Sequence, residues 1–150
     1  MLLRKVLAAL FVTLVLKFTR PVHSNDEMEA GERRHFELSP EDAVPMNKWA
    51  GVDDARNSFP GDLIVGYRLA DEVLYRRVIE IRNPTNELKT GIITFSVPRG
   101  QFHYVSAINR AGSVGVMCEE PYTIGNSETG FRVRSQPNTQ VVLDCTFAAH

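Results

Sequence analysis

Little in this sequence can cross-link, chelate or carry a strong charge of one sign, and each shortage closes off a class of protein. Two cysteines in 150 residues allow one bridge at most, which excludes a disulfide-built miniprotein. Eight prolines and ten glycines are near the globular average and exclude a collagenous or low-complexity chain. The formal net charge is only −1, and four of the 17 basic side chains, Arg4, Lys5, Lys17 and Arg20, lie in the first 24 residues. The remainder carries a net −5. Nucleic acid and anionic bilayers both recognise clustered Lys and Arg, so neither is an expected partner.

Chemistry-bearing patterns are equally scarce. Beyond residue 24 the histidines are His35, His103 and His150, with no His-X-Glu or His-X-X-X-His spacing, and no set of four ligands is closely spaced, so neither a metal nor a cofactor is expected. A Gly-X-Ser-X-Gly elbow, a phosphate loop and a dinucleotide fingerprint are all missing. Glu119 and Glu120 could pair as acid and base, yet neighbours on a strand face opposite ways, and a solvated turn ahead of Pro121 is the simpler reading. His103, between Phe102 and Tyr104, is expected to face solvent from a strand. No catalytic residue is assigned, and the chain is read as a non-enzyme.

What the sequence does contain begins with a leader. Arg4-Lys5, the apolar run from Val6 to Leu16, and a polar stretch with Val22 and Ser24 at the −3 and −1 sites predict a secretory signal peptide over 1–24, cut between Ser24 and Asn25. An apolar run of that length is too short to span a bilayer, which needs about 20 residues. The mature protein is therefore expected to be soluble, secreted and extracellular. In an oxidising compartment Cys118 and Cys145 are expected to join, closing a loop of about 28 residues and adding roughly 3.5 kcal/mol of stability. Two buried free thiols are the alternative.

Residues 25–62 carry a net −6 with Pro40, Pro45 and Pro60 and few periodic apolar positions, and are expected to be loosely ordered. Trp49, with Met46 nearby, is the exception, either docked on the domain or simply exposed. From 63 to 150 the period changes to two. Ile79 and Ile81, Ile93, Phe95 and Val97, Phe131 and Val133, and Val141 to Phe147 at every second position form apolar stripes. Phe102, Tyr104, Ser106 and Ile108 read as another stripe, and Val114, Val116 and Cys118 as one more. With Leu63 to Leu69 this makes about seven short strands between turn signals, which predicts an all-β fold, an antiparallel β-sandwich. The parity points both thiols inward, and a one-residue slip in either strand would separate them.

Two basic pairs stand out. Arg33-Arg34, in a flexible lead-in, would suit a processing protease, while a solvated charge pair is the plainer reading. Arg77 falls on the apolar parity of its strand and is expected to snorkel or meet a carboxylate. Arg76, Arg82, Arg132 and Arg134 could form a shallow basic stripe, diluted by neighbouring acids. Loops at the ends of a sandwich are its usual recognition surface, which singles out Pro98, Arg99 and Gly100, then Asn109, Arg110 and Gly112, then Tyr122, Gly125 and Asn126.

The succession Asp62-Leu63-Ile64-Val65-Gly66-Tyr67-Arg68, Leu74-Tyr75-Arg76, Phe95-Ser96-Val97-Pro98-Arg99-Gly100 and Ser135-Gln136, followed by a Val-rich strand, resembles the insect multiprotein bridging factor two family. The likeness runs from about 62 to 148. It departs at Ile124-Gly125-Asn126, where members tend to carry Gly-Gly, and at Phe147-Ala148, where they tend to carry Tyr-Gly. The resemblance implies either a transcription coactivator that bridges other factors or one of the family's small secreted proteins, and the leader favours the second. The expectation is a secreted binding or effector module, monomeric or weakly associating, with a protein or small-molecule partner. A coactivator and a precursor processed at Arg33-Arg34 are the alternatives.

Overall fold

The computed structural model describes residues 26–45 and 59–150. The leader, with Ser24 and Asn25, and the segment holding Trp49 lie outside the described residues. Among the described residues nine strands form two sheets: β1 (Asp26–Glu29), β2 (Arg33–Glu37), β3 (Leu63–Gly66), β4 (Val73–Asn83), β5 (Lys89–Ser96), β6 (Phe102–Asn109), β7 (Val116–Glu119), β8 (Glu128–Ser135) and β9 (Thr139–Ala149). The first sheet has the order β1-β4-β9-β6-β3 and the second β2-β5-β8-β7. The chain is an all-β sandwich, and the seven strands expected from period-two patterning are all present.

The sheets are mixed rather than purely antiparallel. β1 runs parallel to β4 and β2 parallel to β5, so the acidic lead-in supplies one edge of each sheet. This corrects the expectation of a loose segment for residues 26–45, while 46–58 lies outside the described residues. Met28, Phe36 and Leu38 are buried in the main core, and their apolar area helps offset the ordering entropy that the surrounding acids make costly. A 3-10 turn at Pro40–Asp42, capped by Ser39 and Asp42, leads on to Ala43, which bridges Tyr75. Arg77 latches this segment. Its Nε lies 2.6 Å from Asp26 and 3.8 Å from Asp42, and its guanidinium sits 5.0 Å from the centre of the Phe36 ring.

The core between the sheets is built around stacked aromatics. Phe95 contacts Phe36, Phe131 and Phe147, and Phe147 meets Phe102 edge-on. β6 breaks the expected parity. Its register on β9 shifts between Phe102 and Tyr104, a bulge at His103. Phe102 therefore enters the core, and Val105 and Ala107 follow it. Tyr104 instead joins Leu74, Ala148 and Val44 in a second, smaller apolar cluster.

The thiols do not meet. Both Cys118 and Cys145 are free. In β7 it is Met117 that joins the core, so Cys118 takes the other face of its strand, while Cys145 lies fully buried in β9 of the opposite sheet. Val114, taken as the start of an inward stripe, is 65% exposed. This is the one-residue slip that separates the pair. Burial, with the charge of Asp144 added, pushes the Cys145 thiol far above its ordinary pKa and keeps it protonated.

Candidate functional site

Three connections converge on one end of the sandwich. Tyr67 and Leu69 come from the β3–β4 connection, Gln101 from β5–β6, and Ile124 and Gly125 from β7–β8. Together with Phe102, His103 and His150 they line a cleft of about 330 Å³. On the other side of the β7–β8 connection, Tyr122 and Asn126 help line a second cleft of about 310 Å³ over the face of the second sheet, with Arg33, Thr94 and Gly130 among its walls. The 120–127 segment is thus a ridge between two depressions.

Behind the wall of the first cleft a buried carboxylate begins a chain of titratable groups that reaches the cleft at His103 and His150. Glu72 is 4% exposed. It accepts hydrogen bonds from the Leu69 backbone N–H at 2.7 Å, from the Arg68 guanidinium, and from His103 Nε2 at 2.7 Å. Burial raises the pKa of this carboxyl, but the Leu69 N–H, His103 and Arg68 outweigh burial and hold it below its ordinary 4.5. An ionised carboxylate only accepts, so His103 donates from Nε2 and turns Nδ1 away from Glu72. That Nδ1 lies 3.3 Å from Nδ1 of His150, and the two rings meet edge to face with centres 5.1 Å apart.

Two glycines make this arrangement possible. Gly66, at φ +84°, lies so close to the bulge that a Cβ there would overlap the His103 carbonyl oxygen, which accepts from the Tyr67 N–H at 3.1 Å. Gly100, at φ +99°, lets the β5–β6 turn close on the backbone of His150, whose N–H and C=O both pair with Gln101. His103 is therefore not the ordinary solvent-facing residue its neighbours suggest, since its side chain is only 11% exposed and tied to Glu72.

The loops singled out from sequence divide. Gly100 packs on His150, Gly125 lines the histidine cleft, and Tyr122 and Asn126 line the second one, while Pro98 and Arg99 are exposed in the adjoining turn. Asn109, Arg110 and Gly112 lie at the far end of β6 and belong to neither cleft. Asn109 is an internal clamp. It is buried, its Nδ2 donates to Asp62 and to the Gly115 carbonyl, and its Oδ1 accepts from Ser113 and the Gly115 N–H. Arg110 reaches Asp144 at 3.5 Å.

Other expected features resolve as pairs. Arg33 and Arg34 belong to β2, each aligned with a residue of β5, so the dipeptide is held in a sheet rather than offered on loose chain. Arg76 pairs with Asp144 and Arg82 with Glu27 on the first sheet, and Arg132 pairs with Glu120 on the second, so the four arginines form no single stripe. Glu120 is thereby committed to an ion pair. His35 places its two ring nitrogens 2.9 and 3.0 Å from the hydroxyls of Thr94 and Ser96.

Among the described residues no three His, Cys, Asp or Glu side chains converge so as to hold a metal ion, and no helix is long and apolar enough to cross a membrane. The described residues that line the histidine cleft include no Ser, Thr or Cys. Glu72, His103 and His150 can order a ligand by hydrogen bonds and can pass a proton along their chain. No family model, curated protein or solved structure matches the chain.

Proposed function

We propose that this chain is a secreted, non-enzymatic binding module whose recognition surface is the end of the sandwich formed by the β3–β4, β5–β6 and β7–β8 connections. The observation that carries the reading is Tyr122. It is 84% exposed and stands at φ +65°, in the left-handed region that a bulky side chain ordinarily avoids. A tyrosine held there costs about 1–2 kcal/mol and gains no burial in return, and strain of that kind collects where a side chain is presented to a partner. Tyr67, 65% exposed, stands on the wall of the neighbouring cleft. Two amphipathic rings flanking a ridge suit a protein or small molecule that offers an apolar face and a few hydrogen-bonding groups.

Secretion rests on the leader at 1–24, and the resemblance to the small secreted proteins of the multiprotein bridging factor two family supports it. Expression of the full chain in insect cells tests both parts. The expected result is protein in the medium beginning at Asn25, with its partner from the native fluid captured by wild type and lost when Tyr67 and Tyr122 are both changed to Ser. Intact chain in the nucleus with Met1 attached favours the coactivator reading instead. A secreted form beginning at His35 would support the precursor. Capture that is indifferent to the two tyrosines sinks the assignment of the surface.

A further inference from the structure

We propose that His103 and His150 form a two-nitrogen site for a divalent transition-metal ion at the rim of the end cleft, with Glu72 as the residue that orients it. Glu72 already accepts from Leu69 and Arg68, so His103 must donate from Nε2 to the carboxylate, which leaves Nδ1, the nitrogen facing His150, as the atom of this ring that can ligate. A histidine whose outer nitrogen is fixed by a buried carboxylate, leaving the other nitrogen free to ligate, is the carboxylate–histidine arrangement that metal sites use to set ring tautomer and raise basicity.

The spacing agrees. With metal–nitrogen bonds of about 2.0–2.1 Å, two ligands on adjacent corners of a tetrahedron lie about 3.3–3.4 Å apart. The two Nδ1 atoms are 3.3 Å apart. Ligation needs a lone pair on each Nδ1, so any proton on these atoms leaves to solvent or, on His150, moves to Nε2 as the ion enters between the two nitrogens. The frame is already held: the bulge and Gly66 set His103, and the paired hydrogen bonds to Gln101 set the His150 backbone.

Two imidazoles suit Zn²⁺, Cu²⁺ or Ni²⁺ rather than Ca²⁺ or Mg²⁺. Both histidines line the cleft, so water or a donor atom from a ligand there would complete the sphere. This site rests on ring geometry and stands whether or not the end of the sandwich binds a partner, because purified chain alone reports on it.

The test is titration of the untagged, mature chain with Zn²⁺, followed by calorimetry and by long-range ¹H–¹⁵N spectra of the histidine rings. The expected result is one ion per chain, with both Nδ1 resonances shifted and His103 Nε2 still protonated. His150→Ala, which removes an exposed side chain, should keep the wild-type circular dichroism spectrum and weaken binding at least tenfold, and His35→Ala should leave binding unchanged. Absence of saturable binding, binding through His35, coordination through His103 Nε2, or undiminished affinity in His150→Ala would each overturn the proposal.

Discussion

Glu72→Gln tests the physical core of the site, because glutamine keeps the shape and removes the charge. No cavity enters the reasoning, so the loss is electrostatic. In the native protein the two carboxylate oxygens collect the Leu69 N–H, the Arg68 guanidinium and the His103 Nε2–H in a side chain that is 1% exposed. A glutamine offers one acceptor oxygen and turns an NH₂ toward the remaining donors, so at least one donor loses its partner and the others lose a charged one. Hydrogen bonds to charged groups contribute about 1.5–3 kcal/mol each, and relief from burying the charge returns part of that. The expected net loss is about 2–3 kcal/mol at pH 7. The pH dependence carries the sign. The folded pKa of Glu72 lies below 4.5, so above that value both folded and unfolded chains are ionised and the contribution is complete. As pH falls below 4.5 the unfolded chain takes up a proton first, and the contribution is gone once the folded carboxyl is protonated too. Glutamine does not titrate. Urea unfolding followed by far-UV circular dichroism at pH 7, 5, 4 and 3 should therefore show a gap between wild type and variant that is constant down to about pH 5 and closes toward acid. A gap independent of pH, or one under about 0.5 kcal/mol at neutrality, would refute the account of what holds this carboxylate.

Iodoacetamide should modify Cys118 in the native protein and Cys145 only after denaturation, and a non-reduced mass short of two hydrogens, with neither thiol reactive, would restore the bridge. Arg77→Ala removes the contacts to Asp26, Asp42 and the Phe36 ring and should cost roughly 2 kcal/mol, with amide exchange in β1 and β2 accelerated before that in β9; uniform acceleration would show that the segment is not separately latched. Asn109→Ala breaks four hydrogen bonds and should destabilise by about 2–4 kcal/mol in urea while leaving partner capture intact, so lost capture at unchanged stability would return the Asn109–Gly112 turn to the recognition surface.

The framework was legible where the physics is local. Alternation at Ile79 and Ile81, at Ile93 to Val97 and at Val141 to Phe147 reads directly as the inner faces of β4, β5 and β9, because a strand buried on one side repeats every two residues. Arg77 on that same parity did find carboxylates. The lead-in was illegible because what orders it is distant: Asp26 aligns with Ile79 and Phe36 with Phe95, and no short window containing six excess acids announces such partners. Period-two spacing of Phe36 and Leu38 was the one signal available, and two residues are too few to outweigh the charge. β7 failed for another reason. Counting Val114, Val116 and Cys118 as one stripe treats hydrophobicity as proof of burial, whereas the side chain that enters the core is Met117.

The site itself was hidden by a single inserted residue. Were β6 regular, Phe102 and Tyr104 would share the core face and His103 would stand outside, which is the pattern the alternation predicts. The bulge puts Phe102 against Phe147, sends Tyr104 to the second cluster, and leaves His103 at the rim within reach of Glu72. A bulge has no periodic signature because it is a break in one. Its trace in the sequence is remote: Gly66, on the neighbouring edge strand, where a Cβ would collide with the carbonyl of the extra residue. Read alone, that glycine in Val65-Gly66-Tyr67 looks like the end of a strand. It acquires meaning only once β3 is laid against β6, and the contact that joins the buried carboxylate to the two histidines depends on that same approach.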